Sequence, residues 1–139
     1  MKFRKVTGGF LVRLDKGEEV IESLQAFIAK QKIPAGVLQG IGAVRNIQIG
    51  YFDTRRNKYQ TKQINKTIEV VSLIGNISYI NKRPFVHAHI TVADSNYKLT
   101  GGHFFKGEVA VTLEVFIRVL NKKLNRKKDP KTGFNFWDL

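Results

Sequence analysis

Cysteine is absent from the 139 residues, which excludes disulfides, zinc ribbons, iron–sulfur clusters and thiol nucleophiles together. No apolar run approaches the roughly 20 residues that a membrane-spanning helix requires. The basic start, MKFRKVTGG, leads into no apolar stretch of the kind a secretion signal carries, so a soluble cytoplasmic protein is expected. Gly40-Ile41-Gly42 lacks the third glycine and the following helix of a dinucleotide fingerprint, and no Walker-type Gly-Lys-Ser/Thr occurs. None of Ser23, Ser72, Ser78 and Ser95 stands in a nucleophile-elbow setting, which argues against a serine-hydrolase triad. Apolar residues at 42% and charged residues at 25% are globular proportions, so one folded domain over 1–139 is expected rather than a disordered chain.

Acid is scarce. Eleven acidic residues face 24 basic ones, a net charge of +13. Residues 54–66 hold Arg55, Arg56, Lys58, Lys62 and Lys66 with no acid. Residues 118–131 hold Arg118, Lys122, Lys123, Arg126, Lys127, Lys128 and Lys131 against Asp129 alone. Such a field attracts phosphate backbones, anionic membranes or acidic partners without choosing between them. Arg55, Arg56, Lys122, Lys123, Arg126, Lys127 and Lys128 are the candidate contacts to non-specific DNA. The alternative is a solvated lysine-rich surface, because aromatic interleaving is slight and no recognition helix is evident.

One helix is clear. Val20, Ile21, Leu24, Phe27 and Ile28 recur at helical spacing after Asp15 and Glu18, which stand three apart as in a capping box. Ile33-Pro34 closes it. The remainder reads as strands: Gly9–Leu14, Gly36–Val44, Asn46–Phe52, Lys58–Ile64, Ile68–Ile74, Ile77–Ile80, Phe85–Ala93 and Glu108–Leu120. Gaps are short, which favours antiparallel neighbours. The expected class is α+β, a large curled and mainly antiparallel sheet with one amphipathic helix packed against it. The segment 121–139 is basic and then aromatic, through Phe134, Phe136 and Trp137, so its tip is expected to dock.

The three histidines, His87, His89 and His103, lie within 17 residues. On a strand, His87 and His89 share one face with Cβ atoms about 6.6 Å apart, close enough to converge on one ion. His103 follows Gly101-Gly102, a pair that lets a neighbouring segment bring back a third imidazole. Three neutral imidazoles without thiolate suit zinc or another divalent transition metal, and leave a fourth position open. The alternative is a polar cluster that makes only hydrogen bonds. Glu69 and Glu114 stand in apolar strand patterns. Each could be a general base, an outer partner of the metal ligands, or an ion-pair partner for an arginine such as Arg45.

These motifs together resemble the plants-and-prokaryotes-conserved (PPC) domain. The resemblance runs from Gly17-Glu-Glu-Val-Ile-Glu-Ser-Leu through Ala35-Gly36, Gly40-Ile-Gly-Ala-Val44 and Ile68-Glu-Val-Val-Ser-Leu-Ile-Gly-Asn-Ile77. It continues through Pro84-Phe-Val-His-Ala-His-Ile90, Gly101-Gly-His103 and Glu114-Val to Asp129-Pro-Lys-Thr-Gly-Phe134, nearly the whole chain. It implies a compact α+β domain that assembles as a homotrimer. In plant members the domain follows AT-hook motifs; no Arg-Gly-Arg-Pro hook occurs here. The histidine pattern is also similar to that of a distant structural relative, acetolactate decarboxylase. That likeness implies His87, His89 and His103 as metal ligands, while the relative's other catalytic residues do not map onto this chain.

Two functional readings follow. The first is a homotrimeric regulatory or DNA-binding module without an AT-hook. The second is a metal-dependent enzyme acting on a small anionic metabolite through the three histidines. A structural metal at trimer contacts is a third arrangement.

Overall fold

A computed structural model describes residues 1–139. Its order is β1 (Lys2–Val6), β2 (Gly9–Asp15), α1 (Val20–Gln31), β3 (Ala35–Asp53), β4 (Lys58–Ile64), β5 (Ile68–Ile80), β6 (Arg83–Ala93), β7 (Leu99–Leu120), β8 (Arg126–Lys128) and β9 (Asn135–Trp137). Seven strands form one antiparallel sheet in the order β1-β2-β7-β6-β5-β3-β4, and β7 also pairs with β3. That extra pairing closes β3, β5, β6 and β7 into a ring, so the expected curl goes to closure. β8 and β9 make a separate two-stranded hairpin.

The strands are longer than the sequence pattern suggests. Gly36–Val44 and Asn46–Phe52 fuse into β3 because their junction is absorbed as irregularities in the β3–β7 register, with Asn46 left-handed at φ 52°. Likewise Ile68–Ile74 and Ile77–Ile80 fuse into β5, and the strand expected from Glu108 begins at Leu99. β1 is an edge strand that the apolar pattern does not reveal, since Lys2, Arg4 and Lys5 dominate it; such charges protect an edge from pairing with other chains.

The helix starts four residues later than a capping box at Asp15 and Glu18 implies. Glu19 is the N-cap and its side chain accepts from the Glu22 N–H, while the Glu18 carboxylate accepts from the Asp15 N–H. Lys32, left-handed at φ 54°, closes the other end. The helix buries Val20, Leu24, Phe27 and Ile28 and packs on β6 and β7. Its apolar face and the inner strand faces form one core of 25 buried residues, including Leu14, Leu38, Val44, Leu73, Ile90, Leu113 and Ile117. Alternation therefore assigns the opposite strand residues to the outer face.

Candidate metal centre

The outer face of β6 carries His87 and His89, while Val86, Ala88 and Ile90 between and beside them are buried. His89 stands directly opposite His103 across the β6–β7 pairing, so the third imidazole arrives on the same face by register. Gly101 and Gly102 make that approach sterically feasible. A Cβ on Gly101 would lie 2.3 Å from the Ile90 carbonyl oxygen, and one on Gly102 2.6 Å from that of Gly50. The glycine pair thus serves close strand packing rather than a flexible return.

The three rings converge, with centroids 5.1, 5.4 and 5.5 Å apart, and one nitrogen from each lies within 4.8 Å of the others. Tyr59 and Phe105 flank His103, and Phe85 stacks along His87. Burial, then the neighbouring His87 and His89, hold His103 well down, at about 4. Burial, then Arg126 and His89, push His87 below its ordinary value. Both are therefore neutral near pH 7, the form that can ligate a metal. The buried Nδ1 of His103 has no hydrogen-bond partner within the chain. The residues present fit a divalent ion held by His87, His89 and His103.

The acidic candidates lie elsewhere. Glu69 pairs across the sheet with Ala93 and Ala43, and Glu114 with Arg13 and Ile41; both are exposed and neither belongs to the histidine cluster. Arg45 pairs instead with Glu108, so its ion-pair partner is neither of them. The basic candidates divide. Arg55 and Arg56 are exposed at the β3–β4 turn, where the Asp53 carboxylate accepts their backbone N–H groups. Lys122, Lys127 and Lys128 are exposed, and the Lys123 ammonium sits 4.4 Å over the Tyr79 ring.

Arg126 differs from the rest because most of its donors are spent inside the fold. Nε donates to Ser78 Oγ at 2.7 Å, Nη1 to the Asn135 carbonyl at 2.8 Å and Nη2 to Asn76 Oδ1 at 2.9 Å. Nη2 also lies 3.5 Å from His87 Nδ1, which places this residue beside the histidine cluster. The sequence signal that could have found it is Ser78, a polar side chain inside the apolar run Ile77-Ser78-Tyr79 and completely buried. The aromatic tail docks as expected, but through Phe134 against Phe52 at 4.7 Å and Tyr59 at 6.4 Å, while Phe136, Trp137 and Leu139 stay exposed.

A family model described as the Plants and Prokaryotes Conserved (PCC) domain matches residues 1–121. Among solved structures, a "putative DNA binding protein" from Bacteroides thetaiotaomicron aligns with TM-score 0.94 at 27% identity, over 99% of this chain and 96% of its own. A PPC protein from Pyrococcus horikoshii aligns with TM-score 0.87 at 32% identity, over 99% and 94%. A metal-containing protein from Archaeoglobus fulgidus aligns with TM-score 0.85 at 33% identity, over 99% of both chains. Acetolactate decarboxylase from Bacillus subtilis subspecies spizizenii shares the fold alone, at 14% identity and TM-score 0.56 over 84% of this chain and 54% of its own. The curated relatives, bifunctional GlmU proteins from two Synechococcus strains, are 25% identical over 126 residues; the match takes in 88% of this chain but only 19% of their length.

Proposed function

The chain belongs to the Plants and Prokaryotes Conserved domain family, and from that premise we propose that its functional site is a three-histidine metal centre. The observation that carries this reading is the convergence of His87, His89 and His103 within 4.8 Å, with a buried His103 nitrogen left unpartnered. The similar Archaeoglobus protein, named as metal-containing, supports it. Zinc or another divalent transition metal suits three neutral imidazoles; when bound it supplies Lewis acidity at an open fourth position. Among the chain's own groups, Arg126 and the aromatic walls set what can reach that position. Glu69 and Glu114 are remote from it, so any acid–base step would need another group.

We further propose that the working form is a homotrimer. Leu11, Phe116, Gln39, Ile74 and His89 follow one another across neighbouring strands on the outer face. Leu11, Ile41, Val71, Ile74 and Phe116 are exposed there around an open depression of about 710 Å³. An apolar face of this kind is normally covered by another chain. It ends at His89, so assembly would enclose the metal centre's open side.

A second reading, DNA binding, is supported by the net charge of +13, the exposed Arg55, Arg56, Lys122, Lys127 and Lys128, and the name of the Bacteroides protein. The first test is elemental analysis of protein purified without a nickel column, beside a His87→Ala, His89→Ala double variant. One metal per chain, lost in the variant, is expected. A metal-free wild type that takes up no added zinc would overturn the metal reading.

A further inference from the structure

Arg126 has no counter-charge. Its guanidinium is half-buried between the rings of Phe85 and Trp137, 5.1 and 5.9 Å from their centroids, and no carboxylate lies within ion-pair distance. A half-buried cation without a counterion is an expensive arrangement for a fold to retain. Beside it stand three imidazoles and no acid. A divalent ion held by them would add two positive charges without any anionic ligand. The locus is therefore rich in positive charge and empty of negative charge, inside aromatic walls that strengthen electrostatic attraction.

Resting on the metal reading above, we propose that Arg126 and the three-histidine centre together bind a small carboxylate. One oxygen takes the ion's open position and the other accepts from the guanidinium. Of five guanidinium N–H groups, three are committed to Ser78, Asn135 and Asn76, which fix the fork, and a fourth faces His87 Nδ1 at 3.5 Å, which leaves one. One remaining donor and one metal position match a carboxylate's two oxygens. A phosphate would bring further charged oxygens against the rings of Phe85 and Phe105, which carry no donor. Arg126 sits on β8, beyond the residues 1–121 that the family model matches. The metal ligands thus lie within the matched residues and Arg126 beyond them, in a segment that the solved relatives also cover, since they align over 99% of this chain.

The test uses the full chain loaded with cobalt(II), whose visible spectrum reports a change in coordination, titrated with acetate and with inorganic phosphate. Acetate is expected to perturb the spectrum and to bind more tightly than phosphate. Arg126→Gln should weaken acetate at least tenfold while cobalt stays at one per chain, and Arg126→Lys should recover part of the loss. Thr132→Ala loosens the β8–β9 turn, where Thr132 Oγ1 donates to Asp129 at 2.7 Å, without touching the guanidinium. It should leave acetate affinity within twofold of wild type. Equal acetate affinity in Arg126→Gln and wild type, or an equal loss in Thr132→Ala, would overturn the role of Arg126. Preference for phosphate would overturn the carboxylate assignment. Failure of the wild type to take up cobalt would instead sink the metal reading beneath it.

Discussion

His103 is the residue on which the local chemistry turns, because it is at once a convergent imidazole and the holder of an unpartnered buried nitrogen. Its pKa in the folded chain, about 4, lies below the ordinary 6.5, and burial is the main cause. The unfolded chain therefore takes up the proton first as pH falls. Stability from this group is complete above about pH 6.5 and is lost progressively towards pH 4. His87 shifts in the same direction. The lowered carboxylates, Asp15, Asp94, Asp129 and Glu108, begin to act only below about pH 5.5, so the fall in stability from pH 6.5 down to there is the histidines' own. Urea midpoints measured on metal-free protein from pH 7 to 4.5 should fall, and His103→Gln should flatten the slope. An unchanged slope would assign the pH dependence elsewhere. The shared face of His87 and His89 was legible in the sequence because two-residue alternation fixes it, whereas the glycine pair before His103 read as a flexible return and proved to be a close packing of strands. Arg126 was not legible, since a run of basic residues gives no sign of which one turns inward.

At the scale of elements, the sheet was legible and its continuity was not. Val86, Ala88, Ile90 and Val92, and Leu113, Val115 and Ile117, alternate as buried strand residues should. Glycine and asparagine between strands read as breaks, yet in β3 and β5 they fall at bulges or close contacts within one strand. That distinction depends on which backbone passes alongside, which a single strand's sequence does not carry. Gly101→Ala tests it directly, since the new Cβ would press into the Ile90 carbonyl. We expect a loss of about 1–3 kcal/mol in unfolding free energy, with weaker cobalt uptake as His103 shifts. Leu113→Ala, which leaves a cavity in the core, should cost about 2–5 kcal/mol while leaving metal stoichiometry at one. Equal loss of metal in both would mean that the centre follows global stability rather than the β6–β7 register.

For the whole molecule, charge and apolar surface point to different partners. The outer apolar face calls for copies of the chain. An Ile74→Asp, Phe116→Asp double variant should sediment as a monomer where the wild type sediments as a trimer, and a monomeric wild type would contradict the assembly. The basic surface calls for polyanions. Five exposed basic residues, if all contact phosphate, imply that log K for duplex DNA falls with log salt at a slope of roughly −4 to −5. Binding that persists from low to high salt, or none at low salt, would contradict that reading. Net charge was plain in the sequence, but the joining of apolar strand residues into one face was not, because it arises from pairing between distant strands. The apolar face runs up to the histidine cluster, where Ile74 stands opposite His89. The most direct measurement is therefore anomalous diffraction at a metal absorption edge from crystals of protein purified without added metal. The account predicts one anomalous peak per chain, about 2.0–2.1 Å from a ring nitrogen of each of His87, His89 and His103. Crystals soaked in zinc that still show no peak among these three rings would contradict it.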